Sequence, residues 1–488
     1  MGELQSLIRE TISIVTETGV RPGIERGLSL AKAVATITGE FVADSKRYEG
    51  AQAGSLSAPK VLRRLFEELG ATYIKLGQFI ASSPTLFPAE YVLEFQACLD
   101  KSPTVSFRTV RDIIQADLGR PLSQVYEFFD PRPLASASIA QVHMARLKNG
   151  TQVCVKVQKP DVDACLKADL GFLFVASRFL ELINPSLSRL SLSNIVGDIR
   201  MSMLDELDFR KEAQNLNNFR SFLERAGLDD VAAAPFPYLG ASGKRVLTMD
   251  FLKGVPLVDL EGIRRFAPNP EQTLINALRT WAASVVQNDI FHADVHGGNL
   301  LVLEDGRVGF IDFGIVGRIG EKVWNAVAQL VQCLIVEDFK GMAAALVDMG
   351  AAEQTVDVEK FGRELEAVVR RISAIQPQLQ VSTTTSYDGT PMSADVQVAF
   401  DERETTQIVL EIVAVADGNG LKLPREFGVL LKQSLYFDRY QKLLAPGLDP
   451  LRDPRVRESS GEFFSAATVD RGDKSRGKVV VIDTEILG

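Results

Sequence analysis

The chain has 488 residues and a formal net charge of −9, an acidic balance that argues against a nucleic-acid-binding protein as a whole. With 46% hydrophobic and 24% charged residues it has a globular composition, long enough for a sizeable core in more than one domain. The four cysteines, Cys98, Cys154, Cys165 and Cys333, form no CxxC pair, which excludes a disulfide framework or a zinc ribbon and fits buried thiols in a reducing compartment.

Residues 3–18 set Leu4, Leu7, Ile8, Ile12 and Val15 on one helical face, and Arg21-Pro22-Gly23 breaks that pattern. A second helical pattern carries Leu28, Ala31, Val34 and Phe41. Two amphipathic helices over residues 1–56 suit peripheral contact with a membrane or docking on the protein's own body. Docking is the preferred reading, because their polar faces are not strongly basic. No signal peptide is visible, and the longest uncharged run near the centre, Val323 to Val336, has 14 residues and is too short and too polar to span a bilayer. The expected location is therefore the cytoplasm or an organelle interior, peripheral on a membrane at most.

Ser57-Ala58-Pro59 is a helix start, and Leu62, Leu65, Phe66, Leu69, Tyr73 and Leu76 keep helical spacing beyond it. The stretch ends in Lys75-Leu76-Gly77-Gln78, and Pro84 and Pro88 close a helical segment assigned to residues 57–124.

A β-rich lobe is expected over 125–252. Ala135, Ser136, Ala137 and Ser138 fall where a nucleotide-binding kinase lobe carries its glycine-rich phosphate loop. Glycine reaches positive φ readily and alanine does not, so this loop cannot curl its N–H groups over phosphates in the usual way. After the Lys148-Asn149-Gly150 turn, Val153, Val155 and Val157 alternate with Cys154, Lys156 and Gln158. The valine face packs, and Lys156 points the other way, into a cleft, as a phosphate-binding lysine does. Glu212 is the best candidate for its helix partner, and Phe172 to Ile183 reads as an inserted helix between them. Glu206 and Asp208 lie just before Glu212, spaced so that they either straddle a bend or approach the cleft from one helix end. Arg245 to Met249 reads as a strand, and Met249, Asp250 and Leu252 as the hinge that holds adenine.

A helical lobe is expected over 253–448, with Leu274, Leu278, Trp281, Ala282 and Val285 on a buried helix. The stretch Phe291 to Gly314 then places polar groups among apolar runs. Asp294 follows a short strand, Asn299 comes five positions later, and strands Leu300–Leu303 and Arg307–Ile311 are joined by Asp305-Gly306. Asp312 ends the second strand in Asp-Phe-Gly. Phosphoryl transfer needs a carboxylate near the attacking group and further oxygen ligands for Mg2+, and Asp294, Asn299 and Asp312 fit those roles in that order. Position 293 is alanine where ordinary protein kinases have arginine. No long activation segment follows: the pattern from Glu321 is already helical. Residues 376–400, rich in Ser, Thr, Gln and Pro, read as a surface loop, Thr405–Val415 and Arg425–Leu444 as helices, and 449–488 as a polar tail.

In order, these motifs resemble the UbiB/AarF-domain atypical kinases over about residues 60–450. His-Ala-Asp-Val-His-Gly-Gly-Asn resembles their catalytic loop, Lys75-Leu76-Gly77-Gln78 their Lys-x-Gly-Gln motif, Glu206-Leu207-Asp208 their Glu-x-Asp motif, and Ala-Ser-Ala-Ser their alanine-rich loop. The resemblance implies an α+β, bilobal, protein-kinase-like fold, with a small β-rich N-lobe, a helical C-lobe and an N-terminal helical extension over the active site. It implies that Lys75, Gln78, Glu206 and Asp208 meet at the cleft, that Lys75, Lys156, Glu212 and Asp294 are catalytic, and that ATP and Mg2+ are the cofactors. It further implies phosphoryl transfer or ATP hydrolysis in isoprenoid-quinone or lipid metabolism, with a lipid or quinone-related partner. Two other readings stay open, a Ser/Thr protein kinase and a nucleotide-binding scaffold without turnover.

Overall fold

The structure, a computed structural model, describes residues 58–97, 104–183, 192–267, 269–352, 356–374, 380–385, 391–397, 402–449, 453 and 455. The amphipathic helices expected before residue 57 and nearly all of the polar tail lie outside the described residues.

Helix α1 (Ala58–Leu69) ends at Gly70, whose φ of +93° no side chain tolerates comfortably, and α2 (Ala71–Ala81) restarts from it. The helical pattern expected to run unbroken through Leu76 is therefore two helices. Lys75 and Gln78 sit inside α2, which continues past them to Ala81. Pro88 precedes α3 (Ala89–Phe95), and the edges of Tyr73 and Phe95 meet Phe66 at centroid distances of 5.4 and 5.0 Å.

Helix α4 (Phe107–Leu118) is capped by Ser106, which accepts the Thr109 N–H at 3.3 Å. The strands β1 (Tyr126–Ser136), β2 (Ala140–Leu147) and β3 (Gln152–Gln158) follow as an antiparallel meander. Val153, Val155 and Val157 are fully buried against Val110, Ile113 and Ile114 of α4. That packing turns Lys156 to the opposite face of the sheet.

The insertion, expected to hold at least one helix ending at Ile183, holds two. It comprises α5 (Val162–Ile183) and α6 (Leu192–Asp205), which precede α7 (Phe209–Arg225), the helix carrying Glu212. Leu166, Leu170, Ile199, Met203 and Leu207 form one core with Phe66, Leu69, Tyr73, Leu76, Phe79 and Ile80. Each such buried side chain is worth about 1.5–3 kcal/mol, so the insertion is the body on which the N-terminal extension sits.

The short strand β4 (Ala232–Ala233) comes next, and β5 (Val246–Asp250) closes the upper sheet in the order β1-β2-β3-β5. Below it lie β6 (Gly254–Pro256), helix α8 (Pro270–Gln287), β7 (Phe291–His292), β8 (Leu300–Leu303), β9 (Val308–Phe310) and β10 (Val316–Gly317). The lower sheet has the order β4-β9-β8-β6, and β7 pairs with β10. Strand β4 thus lies within the sequence range assigned to the upper lobe but pairs, parallel, with β9 in the lower one.

Helices α9 (Glu321–Ile335), α10 (Phe339–Met349) and α11 (Val358–Ala374) begin the rest of the lower lobe. The expected surface loop at 376–400 is instead in large part an antiparallel hairpin, β11 (Gln380–Thr385) with β12 (Pro391–Gln397). Its Val381-Ser-Thr-Thr-Thr run is β-branched as well as polar, and that local preference outweighs polarity. Helices α12 (Glu402–Gly418) and α13 (Arg425–Leu444) complete the chain as described. The architecture is the expected α+β, bilobal, kinase-like one, a small β-sheet lobe above a lobe dominated by helices.

Candidate active site

Lys156 projects from β3 into the space between the sheets. Its Nζ lies 3.1 and 3.0 Å from the two oxygens of Glu212 on α7, and 3.1 Å from Oδ1 of Asp312. The ring of Phe209 lies 5.5 Å beneath the same ammonium. Glu212 is buried, one turn into α7, and Asp208 caps that helix by accepting the Arg210 N–H at 3.1 Å. Burial opposes the charge on Lys156, but Asp312 and Glu212 together raise its pKa above the ordinary value. The Lys156 ammonium holds the Asp312 carboxyl well below the usual carboxylate range. Burial pushes the Glu212 carboxyl up to about 7 despite the lysine, with Asp312 adding repulsion. Two carboxylates share one cation, and the more buried of them is the more easily protonated.

The catalytic-loop segment is held from inside. His292 is fully buried; its Nε2 faces the Ile311 carbonyl at 2.8 Å, and its Nδ1 accepts the Asp294 N–H at 3.2 Å. That pattern assigns the proton to Nε2, and burial lowers the imidazole pKa so that the ring stays neutral. Trp281 of α8 donates to the His292 carbonyl at 3.0 Å. The Asn299 amide bonds the Asp294 carbonyl at 3.0 Å and lies 3.5 Å from its carboxylate. His296 Nδ1 accepts the Gly298 N–H at 3.0 Å, and its Nε2 stands 3.7 Å from the Asp294 carboxylate. At Gly297 a Cβ would come within 2.5 Å of Val258, so the loop needs glycine for that approach.

Asp312 adopts φ +60°, uncommon for a residue other than glycine and worth about 1–3 kcal/mol of local strain. The neighbouring Phe313 anchors it. That ring is fully buried, 4.8 Å from both Phe219 and His292, and the Phe313 carbonyl accepts from Asn215 of α7 at 3.1 Å. The sequence reading missed Asn215. Its position three residues after Glu212 on α7 was the available signal, because residues that far apart share a helix face.

In the upper lobe Ala135 and Ser136 remain in β1, opposite Val142 and Gln141. Ala137 turns the chain by donating its N–H to the Ala140 carbonyl at 2.8 Å. Among the described residues the buried Ser138 hydroxyl has no hydrogen-bond partner. At the expected hinge, Met249 is buried and Leu252 packs close to Gly309. Asp250 is occupied otherwise: its carboxylate accepts from Tyr238 at 2.7 Å and from the Phe236 N–H at 3.0 Å, and its own N–H goes to the Phe236 carbonyl.

The extension reaches the same place. Lys75 of α2 pairs with Glu206 at 2.6 Å, both mostly buried. Burial works against its charge, yet Glu206 keeps the Lys75 pKa raised, and Asp312 and Lys156 are near enough to contribute. Glu206 and Asp208 straddle the turn between α6 and α7, and they divide the work: Glu206 takes Lys75 while Asp208 takes Arg210 at 2.5 Å. Gln78 lies one turn beyond Lys75 on the same helix.

Among the described residues no three His, Cys, Asp or Glu side chains converge as a metal cage. Mg2+ does not require one, since it is bound through one or two protein oxygens together with phosphates and water. Asn299 and Asp312, hard oxygen donors with Asp312 half exposed and strongly ionised, fit that donor set.

The family model of the ABC1 atypical kinase-like domain matches residues 97–346. An uncharacterized aarF domain-containing protein kinase of Arabidopsis thaliana, described as chloroplastic, is 46% identical over 468 residues, 94% of this chain and 86% of that protein. An uncharacterized Mycobacterium tuberculosis protein is 32% identical over 83% of this chain and 78% of its own. A probable protein kinase UbiB of Marinobacter nauticus is 30% identical, over 65% of this chain and 57% of that protein. Among solved structures, a Mycobacterium tuberculosis protein in complex with erythromycin is similar at a TM-score of 0.44 and 22% identity, covering 78% of this chain and 94% of that one.

Proposed function

From the premise that this chain belongs to the ABC1 atypical kinase-like family, we propose that it is an ATP- and Mg2+-dependent phosphotransferase or ATPase acting in isoprenoid-quinone or lipid metabolism. The observation that carries the reading is the Lys156–Glu212–Asp312 cluster, one buried ammonium between two carboxylates supplied by different elements. Charges gathered from different elements into a partly buried cleft cost desolvation, and such clusters of perturbed groups concentrate at functional sites.

In this reading Lys156 binds the nucleotide phosphates and Glu212 fixes its direction. The alanine-rich loop from Ala135 to Ser138 lies over the phosphates, and the Ser138 hydroxyl, without a partner among the described residues, gives them a donor. Met249 and Leu252 flank the adenine. Asp250 contributes to that pocket through the strand, because its carboxylate and N–H are engaged elsewhere. Asn299 and Asp312 hold Mg2+, which when bound neutralises charge developing on the phosphoryl oxygens. Asp294 orients or deprotonates the attacking hydroxyl or water, while the His292 and Asn299 hydrogen bonds keep its backbone in place. Positioning and electrostatics supply the acceleration.

A small or lipid acceptor is favoured over a peptide. Lys75 and Glu206 tie the N-terminal extension to the inserted helices, and among the described residues the passage from Gly314 to Glu321, after Ala293 in the catalytic loop, is too short for the activation segment that seats a polypeptide in ordinary protein kinases. The apolar spacing of residues 3–41, read in the sequence, suits docking on the protein's own body first and peripheral contact with a membrane, from the cytoplasm or an organelle interior, second. The test is ATP hydrolysis by the purified full chain with Mg2+, with and without vesicles containing quinone-precursor lipids, beside a peptide array. Phosphate release stimulated by lipid is the expected result. Peptide phosphorylation without lipid stimulation refutes the acceptor class, and tight ATP binding without any release refutes catalysis in favour of a scaffold.

A further inference from the structure

The fold places a helix under the catalytic loop that no motif announces. Helix α13 is distant in sequence from Asp294, yet two of its side chains converge on the residue that follows it. The Val295 N–H donates to Oε1 of Gln433 at 2.8 Å, and the Val295 carbonyl accepts from the Tyr440 hydroxyl at 2.8 Å. Val295, Gln433 and Tyr440 are all essentially excluded from solvent. Gln433 and Tyr440 are seven residues apart, two helical turns and about 10.5 Å along the axis. Only long side chains leaning toward each other can take both backbone polar groups of one residue across that span.

These contacts leave Val295 without backbone freedom. Rotation about the peptide joining Asp294 to Val295 would carry the Asp294 carboxylate with it. From above, His292 and Asn299 hold the Asp294 N–H and carbonyl. From below, α13 holds the next residue. The helix is itself anchored: Phe437 packs 5.3 Å from Trp281, and Trp281 donates to the His292 carbonyl. At its other end Arg425 lies over the Phe79 ring at 4.8 Å, on the same helix as Lys75.

We propose that Gln433 and Tyr440 are positioning residues for Asp294, fixing its carboxylate for the reaction through the two hydrogen bonds to Val295. The proposal rests on the assignment of Asp294 as the catalytic carboxylate. Neither residue reaches the cleft contacts named above, so their loss acts on turnover and not on nucleotide binding. An orphaned Val295 N–H in a dry site also drives the loop toward conformations that regain a partner.

The test uses the full-length protein with Gln433→Leu, Tyr440→Phe and, as rescue, Gln433→Glu, which restores an acceptor oxygen. Leu435→Ala, on the same helix but in a separate core, controls for lost stability alone. Gln433→Leu is expected to lower kcat for phosphate release by about 10- to 100-fold with KM for ATP within about twofold, the signature of a displaced catalytic group. Tyr440→Phe should give a smaller loss of the same kind, Gln433→Glu should recover part of kcat, and Leu435→Ala should lower Tm with kcat intact. Amide exchange across residues 293–299, read by mass spectrometry, should speed up in the first two variants and not in the control. Unchanged kcat, a loss matched by Leu435→Ala, or exchange as slow as in the parent overturns the proposal. A parent protein that binds ATP but releases no phosphate overturns the functional reading instead, and the exchange measurement then decides alone whether α13 holds the loop.

Discussion

Asp312 combines three properties that rarely meet in one side chain: a positive φ, a strongly ionised carboxyl and half exposure. Replacement by asparagine keeps the shape and removes the charge. We predict that Asp312→Asn weakens Mg-ATP binding by at least about tenfold, because hard divalent cations favour carboxylate oxygens. The fold should persist, since Phe313 carries the packing at that site. Titration calorimetry with and without Mg2+ checks this, and an unchanged affinity removes Asp312 from the metal site. The histidines lead to a second prediction. Burial lowers the pKa of both His143 and His292, so each takes up a proton less readily in the fold than in an unfolded chain, which does so below about pH 6.5. The stability they allow is therefore present above that pH and is lost as pH falls through it, by up to about 1.4 kcal/mol per group for each pH unit. Urea unfolding at pH 7.5 and 5.5 should show the loss, and His143→Gln should flatten it. An equal slope in the variant would mean that other groups carry the effect.

At the level of elements, α2 is the one whose role depends most on a single contact. Removing Lys75 leaves Glu206 mostly buried without its cation, a loss of about 1–3 kcal/mol. Lys75→Ala and Glu206→Gln should each lower Tm and alter ATP turnover, and the double variant should cost less than the sum of the two. Strict additivity in that cycle would show that the two side chains do not depend on each other. Ala137→Gly probes the loop above: freed backbone should change ATP or ADP affinity with little effect on Tm, and identical binding of both nucleotides would place the loop away from the phosphates. The elements that could be read in the sequence are those with strong periodicity and a polar interruption, such as β3 with Lys156 and the β8–β9 turn after Asn299. The helix break at Gly70 was hidden because apolar spacing continues across it. The hairpin at 380–397 was hidden because its strands are polar. The grip of α13 on Val295 was out of reach because Gln433 and Tyr440 look like ordinary helix residues until the fold brings them under the loop.

For the whole molecule, a ligand that binds only the folded state stabilises it by RT ln(1 + [L]/Kd), about 2.7 kcal/mol at a hundredfold excess over Kd. Mg-ATP at that ratio should raise Tm by a few degrees for a chain of this size. Lys156→Met should abolish the rise, and a thermal shift that survives the substitution would place the nucleotide elsewhere. The upper and lower sheets are also joined by more than the passage from Asp250 to Gly254. Helix α7 donates the Phe209 N–H to Lys244 beside the upper sheet and the Asn215 amide to Phe313 in the lower lobe. Immediately after α7 the chain commits Ala232 and Ala233 to a parallel pairing with Val308 and Gly309. A clamshell swing of one lobe away from the other would have to break the α7 contact with Phe313 or the one with Lys244. We predict that these ties restrain lobe opening, so that small-angle scattering finds nearly the same radius of gyration with and without nucleotide; a clear compaction on nucleotide binding would show that the lobes swing.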